Sequence, residues 1–272
     1  MMRKRIDFHV HCFPDPLAPR AMDVLRSNAA PFGITPHTDG TADGASAILA
    51  EAGIGAAHVC NIATNSRQEK KVNDFALSLA ASDKPLFAAG SIHPDSGVKG
   101  SELDRLLGGG IRGIKIHPDY VGVMITDPRY DEIFSLCEER GMYVVTHAGF
   151  DPVSPSKIHA TAEGLLSVVR AHPKLTLVAA HMGGPAQLAE VREKLTGTGI
   201  YFDTSLSSTR PDEREELIAL IREHGPDRFL FGTDTPWSVP SEEVAFLETS
   251  GLPDGALEMI FYKNAARLLN LN

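Results

Sequence analysis

A chain of 272 residues with 43% apolar side chains can bury a large core, and its formal charge of −9 argues against nucleic acid and anionic membrane as partners. Three widely spaced cysteines, Cys12, Cys60 and Cys137, are odd in number, make a disulfide framework unsuitable and fit a reducing, cytoplasmic setting. No apolar run is long enough to span a bilayer, and no apolar signal core follows the basic start.

Residues 6–11 open the regular pattern as a short strand in which Ile6, Phe8 and Val10 alternate with Asp7, His9 and His11. Residues 13–41, rich in Pro and Gly, read as a long loop with one short helix at 20–28, and long loops in compact domains are usually functional. A helix follows at 41–53, stopped by Gly53, then a strand at 54–62, a helix at 66–81 and a strand at 85–92 ending in His93-Pro94. A short helix at 101–107 closes on Gly108-Gly-Gly110, and the strand at 111–116 carries Lys115 and leads into His117-Pro118.

The alternation continues with a helix at 128–140 closed by Gly141, a strand at 142–146 ending in His147, and a helix at 157–171. The strand at 175–180 ends in His181 and precedes a helix at 185–195 with Pro at its start. A strand at 200–204, a helix at 212–224 and a strand at 228–232 ending in Asp234 follow, with helices at 241–250 and 257–269. Eight strands, most of them followed by helices and several apolar on both faces, suit a parallel sheet covered on both sides. No Gly-rich dinucleotide fingerprint follows the first strand, and the count of eight favours a distorted (β/α)8 TIM barrel, one domain over 1–272.

Barrel chemistry sits at the C-terminal ends of strands. His9 and His11 are two apart, share one strand face and can both reach a metal ion at about 2.0–2.1 Å. His147, His181 and Asp234 end later strands, and Lys115 ends another. Each has a blander reading: core histidines for His9 and His11, a turn cap for Asp234, an ordinary ion-paired lysine for Lys115. His93 and His117, each before Pro, fit a local loop-fixing role better than metal binding, and Cys12 points to the face opposite His11. Arg67, Arg210 and Trp237, in loops after strands, are candidate contacts for a small-molecule substrate, with solvated charge as the alternative for the arginines.

The segments Asp7-Phe-His-Val-His11, Gly113-Ile-Lys-Ile-His-Pro118, Val145-Thr-His147, Ala180-His-Met-Gly-Gly184 and Leu230-Phe-Gly-Thr-Asp-Thr-Pro236, with Asn264-Ala-Ala-Arg-Leu-Leu269, resemble the amidohydrolase superfamily, in particular its amidohydrolase-related branch (amidohydrolase family 2). The resemblance runs from residue 6 to 269. It implies that His9, His11, His147 and Asp234 bind a catalytic divalent metal, zinc being the first candidate, as one ion or two. His181 is then a ligand of a second metal or an acid/base beside the first. Lys115 resembles the carboxylated lysine that bridges two metals in binuclear relatives such as phosphotriesterases; mononuclear relatives, including several decarboxylases, lack that bridge.

The resulting expectation is a metal-dependent hydrolase acting on an amide, lactone or ester of a small organic acid. The metal lowers the pKa of water and polarises the carbonyl, Asp234 accepts the proton, and His181 steadies the oxyanion or a second metal. Two alternatives remain: a metal-dependent decarboxylase of an aromatic or unsaturated acid, and a non-enzymatic metal-binding barrel. The apolar residues Leu257, Ile260, Phe261 and Leu268 of the last helix predict a homodimer.

Overall fold

The computed structural model describes residues 3–271; Met1, Met2 and Asn272, at the ends of the 1–272 range, lie outside it. Eight strands occur among the described residues: β1 (Ile6–Val10), β2 (Ala56–Cys60), β3 (Leu86–Ala89), β4 (Gly113–Ile116), β5 (Tyr143–Thr146), β6 (Leu177–Ala179), β7 (Tyr201–Asp203) and β8 (Phe229–Leu230). Each is shorter than the apolar run that predicts it, because the ladder stops where the flanking residues turn into loops. The first six helices are α1 (Ala18–Ala29), α2 (Ala42–Glu51), α3 (Glu69–Ala80), α4 (Lys99–Gly108), α5 (Pro118–Val121) and α6 (Pro128–Arg140). The others are α7 (Ala162–Ala171), α8 (Leu188–Leu195), α9 (Arg214–His224), α10 (Pro240–Glu248), α11 (Asp254–Glu258) and α12 (Asn264–Leu268).

Packing divides the chain into two compact units, Met1–Val59 with Asp203–Asn272, and Cys60–Phe202. In the first unit, β1 lies parallel to β2, with Ile6 opposite Ala56 and Val10 opposite Val59 across a register shift. On its other side the Phe8 amide donates to Phe231 O (2.7 Å), the Asp234 amide to His9 O (2.8 Å) and the His11 amide to Thr235 O (2.7 Å). The Thr204 amide donates to Leu230 O (2.9 Å), so the chain leaving β7 flanks β8. Phe8, Phe229, Phe231 and Phe261 are fully buried in this core.

The sequence-predicted C-terminal helix departs most from expectation. It starts earlier, at Asp254, and a π-helical turn at Met259–Lys263 separates α11 from α12. Leu257, Ile260 and Phe261 are buried within the chain: the Phe231 amide donates to Ile260 O (2.9 Å), and the Phe231 and Phe261 rings lie 4.9 Å apart. Three of the four residues behind the dimer expectation are therefore covered within the chain, while Leu268 stays half-buried. Asn264 donates its amide to Pro226 O (2.8 Å) and Phe229 O (2.7 Å), anchoring the approach to β8.

The second unit carries β4, β5, β6 and β7 in parallel order, Lys115 opposite Val145, Val144 opposite Leu177 and Val178 opposite Tyr201. Gly90, just after β3, bonds to β4 through Gly113 O (3.0 Å) and the Lys115 amide (2.8 Å). Helix α6 matches its sequence reading: Asp127 accepts the Arg129 amide (3.0 Å), Pro128 starts it and Gly141 ends it at φ 63°. Helix α7 begins five residues later than its hydrophobic pattern suggested, because Thr161 caps it by accepting the Gly164 amide (3.1 Å). Helix α8 begins at Leu188, not at Pro185; Gly184 (φ 103°) and Ala186 (φ 65°) hold the intervening chain out of the helical region.

Candidate metal centre

Three ligand-type atoms converge in the first unit. His9 Nε2 lies 3.4 Å and His11 Nε2 3.1 Å from the same Asp234 Oδ1. The two rings stand edge-to-face with centroids 5.1 Å apart. Four ligands at about 2.0–2.1 Å around a tetrahedral ion are spaced about 3.3 Å from one another, so these separations suit three corners of such a site. His9 is fully buried and Asp234 6% exposed.

The backbone explains the convergence. Asp234 and Thr235 are laddered to His9 and His11, which fixes the strand-end carboxylate beside the His pair. Asp234 itself sits at φ 65°, a left-handed conformation that Asp tolerates better than most residues. Asp7 pins the same corner: Oδ1 accepts the amides of His9 (3.0 Å) and Thr233 (3.0 Å), and Oδ2 accepts the Thr233 hydroxyl (2.5 Å). Burial pushes the Asp7 carboxyl up to about 7 despite those three bonds. Gly232 completes the fit, since a Cβ there would lie 3.0 Å from His9 Cβ and 3.5 Å from Asp203 Cβ.

Further from the triad, Ser208 donates its hydroxyl (2.7 Å) and its amide (3.3 and 3.2 Å) to Glu243. Glu243 is almost completely buried, and desolvation pushes its carboxyl up to about 8.

The second unit holds His147, His181 and Lys115, and joins His147 to a second set. His181 Nε2 lies 3.2 Å from His147 Nδ1. His147 also stacks on His117, centroids 4.1 Å apart at 10°, and the two Nε2 atoms lie 3.7 and 3.4 Å from Asp151 Oδ2. His117 Nδ1 accepts the Tyr120 amide (3.3 Å) and so caps α5. A neutral imidazole that accepts at Nδ1 carries its proton on Nε2, which turns a donor from His117 towards Asp151. Lys115 is buried in β4, 1% exposed. His181 and Met182 take φ 58° and 59°, and the following glycines allow a close approach: a Cβ on Gly184 would lie 2.3 Å from Ala148 backbone.

The three substrate candidates differ in their surroundings. Arg67 is exposed on an open cleft with Glu69, Lys70 and Asp95. Arg210 is ion-paired with Glu213, and burial pulls its guanidinium below the usual value. Trp237 is half-buried, its amide donating to Asp234 O (2.8 Å).

Sequence reading overlooked Asp7, Asp203 and Asp151. Asp7 and Asp203 carried one signal, a carboxylate inside or ending an otherwise apolar strand; Asp151 lies in a loop and carried none.

A parallel-stranded α/β fold with a His-x-His strand and an Asp shortly after β8 sets metal-ligating residue types at the C-terminal ends of strands, where barrel enzymes carry their chemistry. The amidohydrolase family profile matches residues 6–271, and the chain belongs to that family. A search of curated proteins finds no match. Among solved structures the chain is similar to a TIM-barrel protein from Bordetella bronchiseptica, at 21% identity and TM-score 0.77 over 98% of this chain and 99% of that one. It is similar to a dihydroxybenzoic acid decarboxylase from Polaromonas sp. JS666 holding manganese and 2-nitroresorcinol, at 17% identity and TM-score 0.75 over 100% and 98%. A protein assigned as 2-pyrone-4,6-dicarboxylic acid hydrolase from Pseudomonas putida shares 18% identity and TM-score 0.67 over 100% and 99%. The fold is thus the TIM-barrel type expected from the eight-strand count.

Proposed function

We propose that the protein is a metal-dependent hydrolase of an amide, lactone or ester of a small organic acid. The observation that carries this is the convergence of His9 Nε2, His11 Nε2 and Asp234 Oδ1 at ligand-to-ligand spacing. The donor set, two imidazoles and one carboxylate, suits zinc or manganese. When bound, such a cation supplies Lewis acidity that acidifies water and polarises a carbonyl. Asp234 takes a proton from the attacking water and returns it to the leaving group. His181 steadies charge developing on the carbonyl oxygen, and His147 supplies the further ligand that the family resemblance implies. Lys115 is assigned to the same chemistry by resemblance, as a carboxylated bridge if two ions are held. Arg67, Arg210 and Trp237 are assigned to the substrate. No helix among the described residues is long and apolar enough to cross a membrane. Three buried free thiols suit a reducing cytoplasm.

A second reading, decarboxylation of an aromatic or unsaturated acid, is supported by the decarboxylase among the structural relatives. One assay separates the two. The protein is loaded with zinc or manganese and offered lactones, esters and amides of small acids beside aromatic and unsaturated carboxylic acids. Hydrolysis without carbon dioxide release is expected. Carbon dioxide release without hydrolysis replaces the proposal with the second reading, and metal binding with neither reaction points to a binding protein.

A further inference from the structure

We propose that Asp203 is the positioning residue of this metal centre, holding His9 in the one tautomer that leaves Nε2 free to bind a cation. The inference rests on the reading of His9, His11 and Asp234 as ligands. His9 Nδ1 lies 2.7 Å from Asp203 Oδ2, and both side chains are fully buried. The other oxygen, Oδ1, accepts the Ser205 amide (3.2 Å) and a short bond from the Ser205 hydroxyl. One oxygen is thus taken by the donors of Ser205, and the other faces the His9 ring nitrogen. With Oδ1 accepting from Ser205, the contact at Oδ2 is completed by an N–H on Nδ1, the tautomer proposed for His9. In the neutral ring Nε2 then keeps its lone pair, and Nε2 is the atom turned towards Asp234 and His11. A carboxylate that takes the far N–H of a ligating histidine fixes ring orientation and raises ligand basicity.

The site is built for this contact. Ser205 ties both its amide and its hydroxyl to Asp203, so the carboxylate cannot rotate away without losing two bonds. The missing side chain at Gly232 lets His9 and Asp203 stand side by side.

Asp203→Asn keeps the shape but spoils the pattern. An amide oxygen turned to His9 leaves its NH2 facing the Ser205 amide, donor against donor; the opposite flip puts NH2 against Nδ1 and drives the proton to Nε2. The experiment uses full-length protein stripped with a chelator and titrated with Zn²⁺ in competition with a chromophoric chelator. Asp203→Asn should bind Zn²⁺ about 10–100-fold more weakly than wild type. Ser205→Ala, which keeps the carboxylate and the amide bond to it but loses the hydroxyl bond, should weaken Zn²⁺ binding less than Asp203→Asn does. Long-range ¹H–¹⁵N spectra of the metal-free proteins read the tautomer directly, a signal that a merely structural role would not move. Wild-type His9 should be protonated at Nδ1, and Asp203→Asn should shift population to Nε2–H. Wild-type affinity in Asp203→Asn, or an Nε2–H His9 in wild type, overturns the proposal. If Asp203→Asn does not fold, the wild-type spectrum still decides. If wild type binds no Zn²⁺ yet His9 is Nδ1–H, the metal reading fails while the Asp203 contact stands.

Discussion

The two units each hold a His–His–Asp set of nearly the same dimensions. In one, His9 and His11 present Nε2 at 3.4 and 3.1 Å from Asp234 Oδ1. In the other, His117 and His147 present Nε2 at 3.4 and 3.7 Å from Asp151 Oδ2. Donor spacing alone treats them alike, and only the far ring nitrogens tell them apart. His9 Nδ1 faces an acceptor, the Asp203 carboxylate; His117 Nδ1 faces a donor, the Tyr120 amide. The first arrangement leaves a lone pair at Nε2 and the second puts a proton there. What surrounds the ligand pair decides whether a triad can take a cation.

The largest expected effect breaks the comparison outright. His9→Ala or His11→Ala should lose bound metal almost completely after dialysis, as measured by elemental analysis. His117→Ala should keep its metal at the wild-type level. Loss of metal in His117→Ala as well would show that spacing, and not proton assignment, governs these sets, and metal kept in all three would show that neither set holds it.

Next in size is Asp234→Asn. The amide keeps one oxygen donor, so metal should remain, more weakly held. It cannot take a proton from water, and turnover on whatever substrate the wild type accepts should fall about 10²- to 10⁴-fold. Near wild-type turnover in a metal-replete mutant would move the base elsewhere, with His181 the first candidate.

How the two sets differ in legibility follows from distance along the chain. His9 and His11 stand two residues apart in a strand, and Asp234 sits between an apolar strand and Pro236, so local pattern exposed all three. Asp203 acts on a residue 194 positions away, and Asp7 on Thr233 across 226, contacts that no local window contains. The strands were legible because buried parallel strands are apolar on both faces. Helix starts were less so: Thr161 overrode a pattern that began at 157, and left-handed residues after β6 delayed α8 past Pro185.

Glu243 gives an intermediate effect, in the pH profile. Burial pushes its folded carboxyl up to about 8 against the Ser208 bonds, with Asp7 adding repulsion, whereas an unfolded glutamate keeps its ordinary value of 4.5. The native state therefore holds a proton that the unfolded state releases between those values, so this group's contribution is full below about 4.5 and is lost as pH rises through about 8. Glu243→Gln keeps partners for Ser208 without ionising. Thermal melts should show wild type losing stability relative to Glu243→Gln as pH climbs from 5 to 8.5. Parallel curves would mean the carboxyl ionises without cost.

The smallest effect sharpens the second unit. If His117 serves as a helix cap, His117→Ala should cost about 0.5–2 kcal/mol of stability, the usual range for losing a capping acceptor. The figure should fall at the low end, because α5 has four residues and the Tyr120 bond is long at 3.3 Å. His117→Asn then separates cap from ring. Asn is among the best capping residues and can accept the Tyr120 amide, but it cannot stack on His147 as an imidazole does. A melting temperature restored by Asn assigns the stability to the cap. One that stays low assigns it to the ring, through its contacts with His147 and Asp151. Metal content measured on the same samples closes the comparison: a cap and a stacked ring both leave it unchanged, and only a ligand would lower it.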